Sequence, residues 1–492
     1  MKKQRTRRQK AIIRRRIFFS LCAFILALAI ALVALIVHIV SNPNGLDNSS
    51  DISSSDISSS TITSSDSSSE DSSQTSSDSS TPTSSTTPSS SLPSSSGSSS
   101  VIDTSAGAGK PKFDNYDSTA TILSIGDIMV HSTQVTGAHR SDGSYDFTDY
   151  FKCISPYFSA ADLSVANLEI TFGGSESGAF SGYPAFNTPD SLADAMKSGG
   201  LDLLLTSNNH SYDTGLYGLK RTVKVLEERG LDYIGTRKDT EKSLYTVKTV
   251  NNIKIGMANY TYETSGSDSS RKYLNGNAIS TEANDLIASF SYDRLNKFYS
   301  EARTVIADMK AQGAEYIVFY IHWGNEYQTS INSWQKNIAQ QLANLGVDMI
   351  IGSHPHVVQP ADIIYSDDGT HATVCLYSSG NAVSNQRQEL MDSCPSGHTE
   401  DGTIFSYTLV KSGDEVALLN VDIIPTWVNK YSGGGGYLYT IYPLEEADWG
   451  STKYNLNSTA AAKASKSFER TKKIVSEGLT KIQTYLGCDI TF

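Results

Sequence analysis

Residues 349–359 read MIIGSHPHVVQ, an apolar run that ends at two histidines on either side of a proline. A short apolar run that follows an amphipathic stretch and ends at Gly352 is typical of a buried strand in an α/β domain. Ligand sites in such domains lie beyond the carboxyl ends of the strands. Since the chain has only nine histidines, the placement of His354 and His356 predicts a binding site at this strand end.

Apolar runs and amphipathic stretches alternate on both sides of this strand, from about residue 118 onward. This pattern predicts a layered α/β domain with antiparallel additions. Strands are predicted at ATILSIGD, LSVANLE, LDLLLTSNNH, LDYIGT, EYIVFYIHWG and VDMIIGSH. Helices are predicted at 146–162, 189–200, 218–230, 294–312 and 330–346, with an amphipathic helix at 465–486 that packs onto the domain. Hairpins are predicted at 243–262, turning at Asn251–Asn252, and at 361–379 and 402–424.

The amino-terminal part of the chain has a different composition. Residues 1–16 hold nine Lys and Arg and no acid, and residues 17–40 are apolar and uncharged. At about 1.5 Å per residue, the second segment is long enough to cross a hydrocarbon core of about 30 Å. We therefore predict a basic cytoplasmic segment (1–16) and a transmembrane signal-anchor (17–40), which makes the protein a single-pass protein of the cell membrane with an extracellular catalytic domain. A disordered Ser/Thr-rich linker (41–116), the folded domain (117–430) and a C-terminal extension with one amphipathic helix (431–492) are predicted to follow.

Charge excludes one class of partner. After the first 16 residues, 31 Lys and Arg stand against 52 Asp and Glu, a net charge of −21. Such an acidic balance gives no support for nucleic-acid binding. Cysteine says less, since Cys153, Cys375, Cys394 and Cys488 allow three pairings and include no C-x-x-C spacing for a zinc site.

Polar residues with metal-binding side chains follow five of the predicted strands. Asp127, Glu169, Asn208 to His210, His322, and His354 with His356 all stand at carboxyl ends of apolar runs. The strand ends of one α/β sheet lie along the same edge, so these side chains are expected to meet there. Carboxylate, amide and imidazole ligands together suit Zn, Mn or Fe better than Ca or Mg. The sequence predicts a divalent metal centre.

Each of these residues also has a purely structural interpretation. Asp127 and Glu169 could cap a turn or helix, and Asn208 and Asn209 are common turn residues. His322, beside Trp323, could be a hydrogen-bonded core histidine. The pair in GSHPH is harder to explain structurally, because neither a turn nor a core needs two imidazoles around a proline. The metal centre is predicted from the coincidence of all five strand ends.

The motifs GDIMVHS, ANLE, TSNNHSYD, HWGNEY, GSHPHVVQ and SSGN resemble those of the CapA-like capsule biosynthesis proteins, which are associated with poly-γ-glutamate. The resemblance covers about residues 119–425. It implies a metallophosphatase-like (calcineurin-like) α/β fold, a layered α-β-β-α sandwich with two metals at one edge. It also implies that Asp127, Glu169, Asn209, His322, His354 and His356 bind metal, with Glu169 as the bridge, and that His210 assists the leaving group.

This chain departs from the phosphatase pattern at two positions. Met129 stands where the first motif of phosphatases has a histidine, and Glu169 stands where they have an aspartate. His131 is a candidate substitute for the first, and Asn208 and Glu326 are further candidate site residues. G-x-S-x-G and phosphate-loop motifs are absent from the sequence, which leaves metal-assisted hydrolysis as the predicted chemistry.

Two functions remain open from the sequence. The first is a metal-dependent hydrolase acting on a phosphoester or on the amide linkages of an anionic surface polymer. The second is a non-catalytic capsule assembly or export component that uses the same fold to bind polymer or a capsule-synthesis membrane complex. The complete ligand set favours the hydrolase, since a binding module has little need for six ligands.

Overall fold

The fold is built on long strands rich in Val, Ile and aromatic residues, separated by short helices. The computed structural model describes residues 115–268, 270–433, 436–445 and 454–491. These residues belong to the second of two units of the chain, Gly97–Phe492. The strands are β1 (Ser118–Ile128), β2 (Leu163–Leu168), β3 (Leu203–Leu205), β4 (Asp232–Ile234), β5 (Tyr245–Val250), β6 (Ile253–Glu263), β7 (Tyr273–Leu274), β8 (Asn277–Ala278), β9 (Ser289–Ser291), β10 (Tyr316–His322), β11 (Met349–Ser353), β12 (Ala361–Tyr365), β13 (Ala372–Leu376), β14 (Asn381–Val383), β15 (Asp401–Ser412), β16 (Glu415–Gly433) and β17 (Gly436–Pro443). The helices are α1 (Ser132–Ala138), α2 (Ser155–Ala160), α3 (Ser191–Ser198), α4 (Gly215–Glu228), α5 (Leu295–Ala311), α6 (Ser333–Asn344) and α7 (Ser458–Leu486).

The strands form two large sheets. Sheet A has the order β17-β16-β15-β1-β2-β3-β4, with β14 beside β1. Its strands β1 to β4 are parallel, while β15, β16 and β17 are added as antiparallel strands. Sheet B has the order β12-β13-β11-β10-β6-β5, with β9 beside β6, and its parallel centre is formed by β6, β10, β11 and β13. Parallel neighbours place their carboxyl ends at the same edge, which is the requirement for the predicted site.

Three buried apolar clusters define the layers. The central cluster combines inward side chains of both sheets, such as Ile122 and Val165 from sheet A and Val318 and Ile351 from sheet B. A second cluster joins the outer face of sheet A to residues of α1 to α4, and a third joins the outer face of sheet B to α5 and α6. The described residues therefore lie in helix, sheet, sheet and helix layers. The mixed α/β fold predicted from the sequence is confirmed.

Two local predictions are also confirmed. Asn251 and Asn252 have φ of 45° and 68° and connect β5 to β6, as expected for a two-residue hairpin turn with positive φ at both positions. The C-terminal amphipathic helix is α7, which packs Val475, Leu479 and Ile482 into the central cluster. It contacts β16 of sheet A and β12 of sheet B. The helix thus covers a side of the central core that the two sheets leave open.

The prediction of one long helix at 146–162 is wrong. The structure has a 3₁₀ turn at Thr148–Tyr150 and then α2, with Pro156 in its first turn. Asp146 accepts hydrogen bonds from the backbone N–H and the hydroxyl of Thr148, at 2.9 and 2.6 Å. This local turn competes with helix formation, and a proline can begin a helix but not continue one. The strand predicted at LDLLLTSNNH is likewise shorter than expected, since β3 ends at Leu205.

The predicted localisation, a single-pass membrane protein with an extracellular domain, needs correction. Within the part of the chain that the structure describes, no helix has both the length and the apolar character to cross a membrane. The predicted signal-anchor (17–40) and nearly all of the predicted linker (41–116) lie outside the described residues. At the other end, the predicted boundary between domain and C-terminal extension, after residue 430, falls inside β16.

Candidate metal centre

The side chains of the centre come from the carboxyl ends of strands in both sheets. From sheet A, Asp127 lies at the end of β1, Glu169 directly follows β2, and Asn209 follows β3. From sheet B, His322 is the last residue of β10, and His354 and His356 follow β11. All six are at most 3% exposed. The structure therefore brings together the six predicted metal ligands.

The sheet A side of the centre contains two carboxylates joined by an asparagine. The side-chain amide of Asn167, on β2, donates to Asp127 Oδ1 at 2.8 Å and to Glu169 Oε2 at 3.3 Å. Asp127 and Asn167 are register partners in the parallel pairing of β1 and β2. The Oε1 atom of Glu169 is buried and has no hydrogen-bond partner among the described residues. An unpaired buried carboxylate oxygen costs free energy unless a cation compensates it.

Imidazole nitrogens from sheet B face that unpaired oxygen. Nε2 of His322 lies 3.6 Å from Glu169 Oε1, and Nε2 of His356 lies 3.8 Å from the same atom. These distances are too long for hydrogen bonds. The ring of His356 is oriented by Asp127 Oδ2 at 3.0 Å and by Asn381 Oδ1 at 3.2 Å, both from its Nδ1. His354 Nδ1 is also buried without a partner in the described structure.

Two ligand sets share Glu169. One consists of Asp127, Glu169 and His356, and the other of Glu169, His322 and His354, with the ligand atoms of each set within 4.8 Å of one another. A third set joins His354 and His356 to the exposed Glu326. Asn209 adds an amide oxygen to the second set, since its Oδ1 lies 2.7 Å from His322 Nε2. The geometry is that of two adjoining groups of potential ligands with one carboxylate in common.

The histidines around Pro355 are held in an unusual backbone conformation. His354 has φ of +95° and His356 has φ of +58°, a region that non-glycine residues rarely adopt. The Pro355 carbonyl accepts a hydrogen bond from the Tyr327 backbone N–H at 2.8 Å, which fixes the segment between the two rings. Such strain is stored at sites where the surrounding structure dictates the conformation. In this backbone conformation, both imidazoles lie in ligand sets with Glu169.

Burial sets the protonation of the centre. It raises the pKa of Glu169 well above its usual range, and the nearby carboxylate of Asp127 raises it further. Burial also lowers the pKa of His322 and His354 well below 6.5, with a further lowering from neighbouring imidazoles. Both rings are therefore neutral at physiological pH, the state in which imidazole binds metal. Nε2 of His322 lies 2.7 Å from Asn209 Oδ1, which can only accept, so this nitrogen carries the ring proton when no metal is bound. Ser353 Oγ, 2.9 Å from Nδ1, can accept that proton at Nδ1 when Nε2 binds a metal.

His210 lies beside the centre rather than within a ligand set. Its Nδ1 is 2.8 Å from Asp213 Oδ2, in a pair whose side chains are both buried. The edge of its ring contacts Phe186, with centroids 4.8 Å apart. Asn275, from the turn between β7 and β8, accepts from the Asn209 amide at 2.9 Å and has its own amide nitrogen 3.4 Å from His210 Nδ1. Asp213 thus orients the imidazole and leaves Nε2 for a reacting group.

The three further candidates have different surroundings. Asn208 is a structural residue, since its amide donates to the Leu168 carbonyl at 2.8 Å and its Oδ1 accepts from the His210 backbone N–H at 3.1 Å. His131 is the N-cap residue of α1 and belongs to none of the three ligand sets. Its Nδ1 accepts from the Asn385 backbone N–H at 3.3 Å, and burial lowers its pKa to about 4. Glu326 lies at the exposed mouth of the centre.

Sequence reasoning missed three residues that hold the ligands in place. They are Asn167, Asp213 and Asn381. A signal for Asn167 was present, because it precedes Glu169 by two residues and side chains two apart on a strand share a face. Asn381 was within reach too, as the asparagine of the quoted SSGN motif. Asp213 is the last residue of the quoted motif TSNNHSYD, but its contact with His210 depends on the turn after β3.

The donor set fits divalent cations. Two buried carboxylates, three imidazoles and an amide oxygen converge, and two of their ligand atoms, Glu169 Oε1 and His354 Nδ1, have no partner among the described residues. Oxygen and imidazole nitrogen together suit Zn, Mn and Fe. Fold and site together define an α/β protein with a buried cluster of carboxylates and imidazoles that could bind metal, at one edge of two sheets.

The family of this protein follows from comparison with known sequences. Residues 121–386, more than half of the chain, match the model of the bacterial capsule synthesis protein PGA_cap. The chain belongs to this family, and the CapA-like resemblance predicted from the motifs is confirmed. All six ligand candidates and His210 lie within the matched residues.

Two relatives and one solved structure are similar to the chain. It is 27% identical over 314 residues to the capsule biosynthesis protein CapA of Bacillus anthracis, covering 62% of this chain and 66% of that protein. It is 26% identical over 311 residues to the PGA biosynthesis protein CapA of Bacillus subtilis (strain 168), covering 62% and 71%. The chain thus spans about two thirds of the length of these relatives. The calcineurin-like phosphoesterase YfkN from Bacillus subtilis covers 74% of this chain and 99% of its own at 13% identity, and its TM-score of 0.33 supports no conclusion about the site.

Proposed function

We propose that this protein is a metal-dependent hydrolase of capsule biosynthesis, with a metallophosphatase-like centre in which two ligand sets that share Glu169 would each hold a divalent ion. The observation that carries the proposal is Oε1 of Glu169, which has no hydrogen-bond partner among the described residues and lies 3.6 Å from Nε2 of His322 and 3.8 Å from Nε2 of His356. Burying a carboxylate oxygen without a hydrogen-bond donor does not stabilise the fold. A carboxylate shared by two metal sites, in contrast, needs a free oxygen.

Each ion has its own ligand set in this proposal. Asp127 and His356 complete the first set, and Asn209, His322 and His354 complete the second. Asn167 is the residue that keeps the two carboxylates in register, because it donates to both of them. The metals are Mn, Zn or Fe by donor chemistry.

The chemistry follows from what each part supplies. Divalent ions bound here would polarise a scissile phosphoryl or carbonyl group and lower the pKa of a bound water. The ring of His210 is held through Nδ1 by Asp213, so that its Nε2 can give a proton to the leaving group. The buried surroundings of the ligands exclude bulk water and strengthen every electrostatic interaction at the reacting atoms.

The substrate class is inferred from the relatives. One relative is named for capsule biosynthesis and the other for PGA biosynthesis. We propose an anionic surface polymer, cut at an amide linkage, or a phosphoester intermediate of its synthesis. The alternative is a non-catalytic component of a capsule-synthesis complex, and Met129 supports it, since this buried apolar residue stands where the phosphatase pattern has a metal-binding histidine.

The test combines metal content with hydrolysis. The full chain is purified, stripped with chelator, dialysed and reloaded with Mn, Zn or Fe, and then assayed on phosphoesters and γ-glutamyl polymers. We expect about two ions per chain and activity that disappears on stripping, with His398→Ala as the control histidine because His398 contacts Ser396 outside the centre. Metal binding without hydrolysis of any substrate would favour the non-catalytic component. A failure to bind metal would exclude the hydrolase and leave the non-catalytic component as the function.

A further inference from the structure

A cavity outside the metal centre is lined by several cationic side chains. It has a volume of about 430 Å³ and is formed by the start of α5, the connection between β4 and β5, and the segments on both sides of the β7–β8 hairpin. This volume is within the range of small-molecule sites. Its lining includes none of the candidate metal ligands. The cations are Arg237, Arg271, Lys272, Arg294 and Lys297, against the acids Glu263, Asp285 and Glu301.

The cavity is positive in a chain that is otherwise acidic. Five cations against three acids give it a formal charge of +2, whereas the whole chain has a formal charge of −12. Cationic side chains that line one concave surface repel one another unless negative charge balances them. An anionic ligand supplies that compensation.

Three of the cations are held by backbone carbonyls rather than by direct ion pairs. Arg237 donates to the carbonyls of Asp285 and Lys242 at 2.8 and 2.9 Å. Arg271 donates to the carbonyl of Ile279 at 2.7 Å, and Lys272 to that of Ile287 at 2.9 Å. Within the described part of the chain, none of the three forms an ion pair with a carboxylate. Carbonyl contacts fix the direction of these groups and leave their charge available.

The opposite wall adds two cations from the start of α5. Arg294 is paired with Glu263 at 3.3 Å, and Lys297 has no ion pair among the described residues. Burial lowers the pKa of Lys272, the carboxylates of Glu263 and Glu301 act to raise it, and the charge of Lys297 acts to lower it. Both lysines line the same cavity, where a ligand oxyanion could pair with their ammonium groups.

The β7–β8 hairpin connects this cavity to the metal centre. Arg271 and Lys272 directly precede β7, and the Arg271 guanidinium binds the chain where it leaves β8. At the other end of the hairpin, Asn275 contacts Asn209 and His210. The base of the hairpin thus lies on the cavity and its turn lies on the metal centre.

We propose that this cavity binds a small anion carrying carboxylate or phosphate groups, and that the bound anion fixes the β7–β8 hairpin over the metal centre. The binding step needs no metal and no hydrolytic activity, so it can fail or hold independently of the function proposed above. Carboxylate and phosphate share the chemistry that ammonium and guanidinium groups recognise.

The experiment uses the full chain after chelation and dialysis, so that the probe cannot bind through a metal. Citrate and inorganic phosphate are titrated separately by calorimetry at constant ionic strength. We expect at least one of them to bind, and the Lys272→Gln/Lys297→Gln double variant to bind at least tenfold more weakly, since a charge-assisted hydrogen bond contributes about a factor of ten or more. Which probe binds more tightly identifies the anionic group.

Two further variants keep the test decisive. Lys297→Gln alone removes an exposed cation without a described partner, so its fold is expected to be intact and its affinity reduced. Arg303→Gln makes the same charge change on an exposed residue of the same helix outside the cavity and is expected to bind as the wild type does. Hydrogen exchange of residues 271–279 should slow when the anion binds. Absence of binding by both probes, or equal weakening in Arg303→Gln, would overturn the proposal.

Discussion

Glu169→Gln tests whether Glu169 is a metal ligand or a structural carboxylate. The two interpretations predict changes of opposite sign in the stability of the metal-free protein. In the metal-free protein, Glu169 is fully buried and its Oε1 has no partner among the described residues. Glutamine has the same shape without the charge, and its oxygen can still accept from the Asn167 amide. We expect the metal-free variant to be as stable as the metal-free wild type or more stable.

The pH dependence has a definite sign. The pKa of Glu169 is raised in the folded state, so the folded protein binds this proton more tightly than the unfolded chain does. Stability from this group is fully present at acidic pH and is lost as pH rises through the folded pKa. The glutamine variant has no carboxyl group at this position, so its stability does not fall in this way as pH rises. The difference in stability between variant and wild type, both metal-free, should therefore increase in favour of the variant as pH rises.

Metal addition should reverse the order. An ion at one hundred times its dissociation constant stabilises the folded state by about 2.7 kcal/mol. With an unfolding entropy of about 2.1 cal/mol/K per residue over roughly 370 folded residues, this raises Tm by about 3–4 °C per ion, or about 7 °C for two. Since Glu169 belongs to two ligand sets, its substitution should reduce the rise to below about 2 °C.

Differential scanning calorimetry of the stripped and reloaded full chain measures all of these quantities. Glu469→Gln, at an exposed position of α7, is the matched control and should show the wild-type Tm rise. A variant at Glu169 that keeps the full metal-induced rise would refute its role as the shared ligand. A wild type whose Tm is unchanged by every metal tested would refute the centre itself.

Three further substitutions test other parts of the argument. His210→Ala should keep the metal content of the wild type and lower the hydrolytic rate by roughly 10²–10⁴, the range for a lost general acid, and equal loss of metal would instead make His210 a ligand. His354→Gly should be more stable than His354→Ala by about 1 kcal/mol or more when both are metal-free, because φ of +95° strains alanine, and equal unfolding free energies in urea would argue against that strain. Gly478→Ala should lower stability by about 1–3 kcal/mol although alanine favours helix, because a Cβ there would lie 1.7 Å from the Ala361 carbonyl oxygen; Ser476→Ala on the same helix is the control, and a higher Tm for Gly478→Ala would contradict the close packing.

The positions of the strand ends could be predicted because a run of apolar residues indicates a buried strand. His322 closes a run of fully buried residues in β10, and His354 follows the buried β11, so both ligand positions could be located from the sequence. The turn at Asn251–Asn252 was predictable for a similar reason, since asparagine tolerates positive φ. These features depend on short stretches whose chemistry is dictated locally.

Other features depend on contacts that no local pattern contains. Asn275 reaches Asn209 across 66 positions of sequence, and Asn381 meets His356 only because β14 lies beside β1. The positive φ of His354 and His356 results from the tertiary packing of the segment, not from their residue types. The turn at Asp146 was a local signal, but it competed with an equally local helical pattern, and propensity alone could not decide between them.

The position of Asp127 depends on parts of the chain well beyond the matched family region. Strand β1 pairs along Ser118–Ile125 with β15, which lies after residue 386, and β15 in turn pairs with β16. Without these strands, Ser118–Ile125 of β1 would be an open edge, and on that side only the short pairing of Asp127 and Ile128 with β14 would hold its carboxyl end. Helix α7 adds a second constraint, since it packs on β16 of sheet A and β12 of sheet B together. The ligand sets draw on both sheets, so any movement of one sheet against the other separates Asp127 and Glu169 from the histidines. The C-terminal strands and α7 therefore support the metal centre by holding the two sheets in one fixed relation, although none of their residues is a candidate ligand.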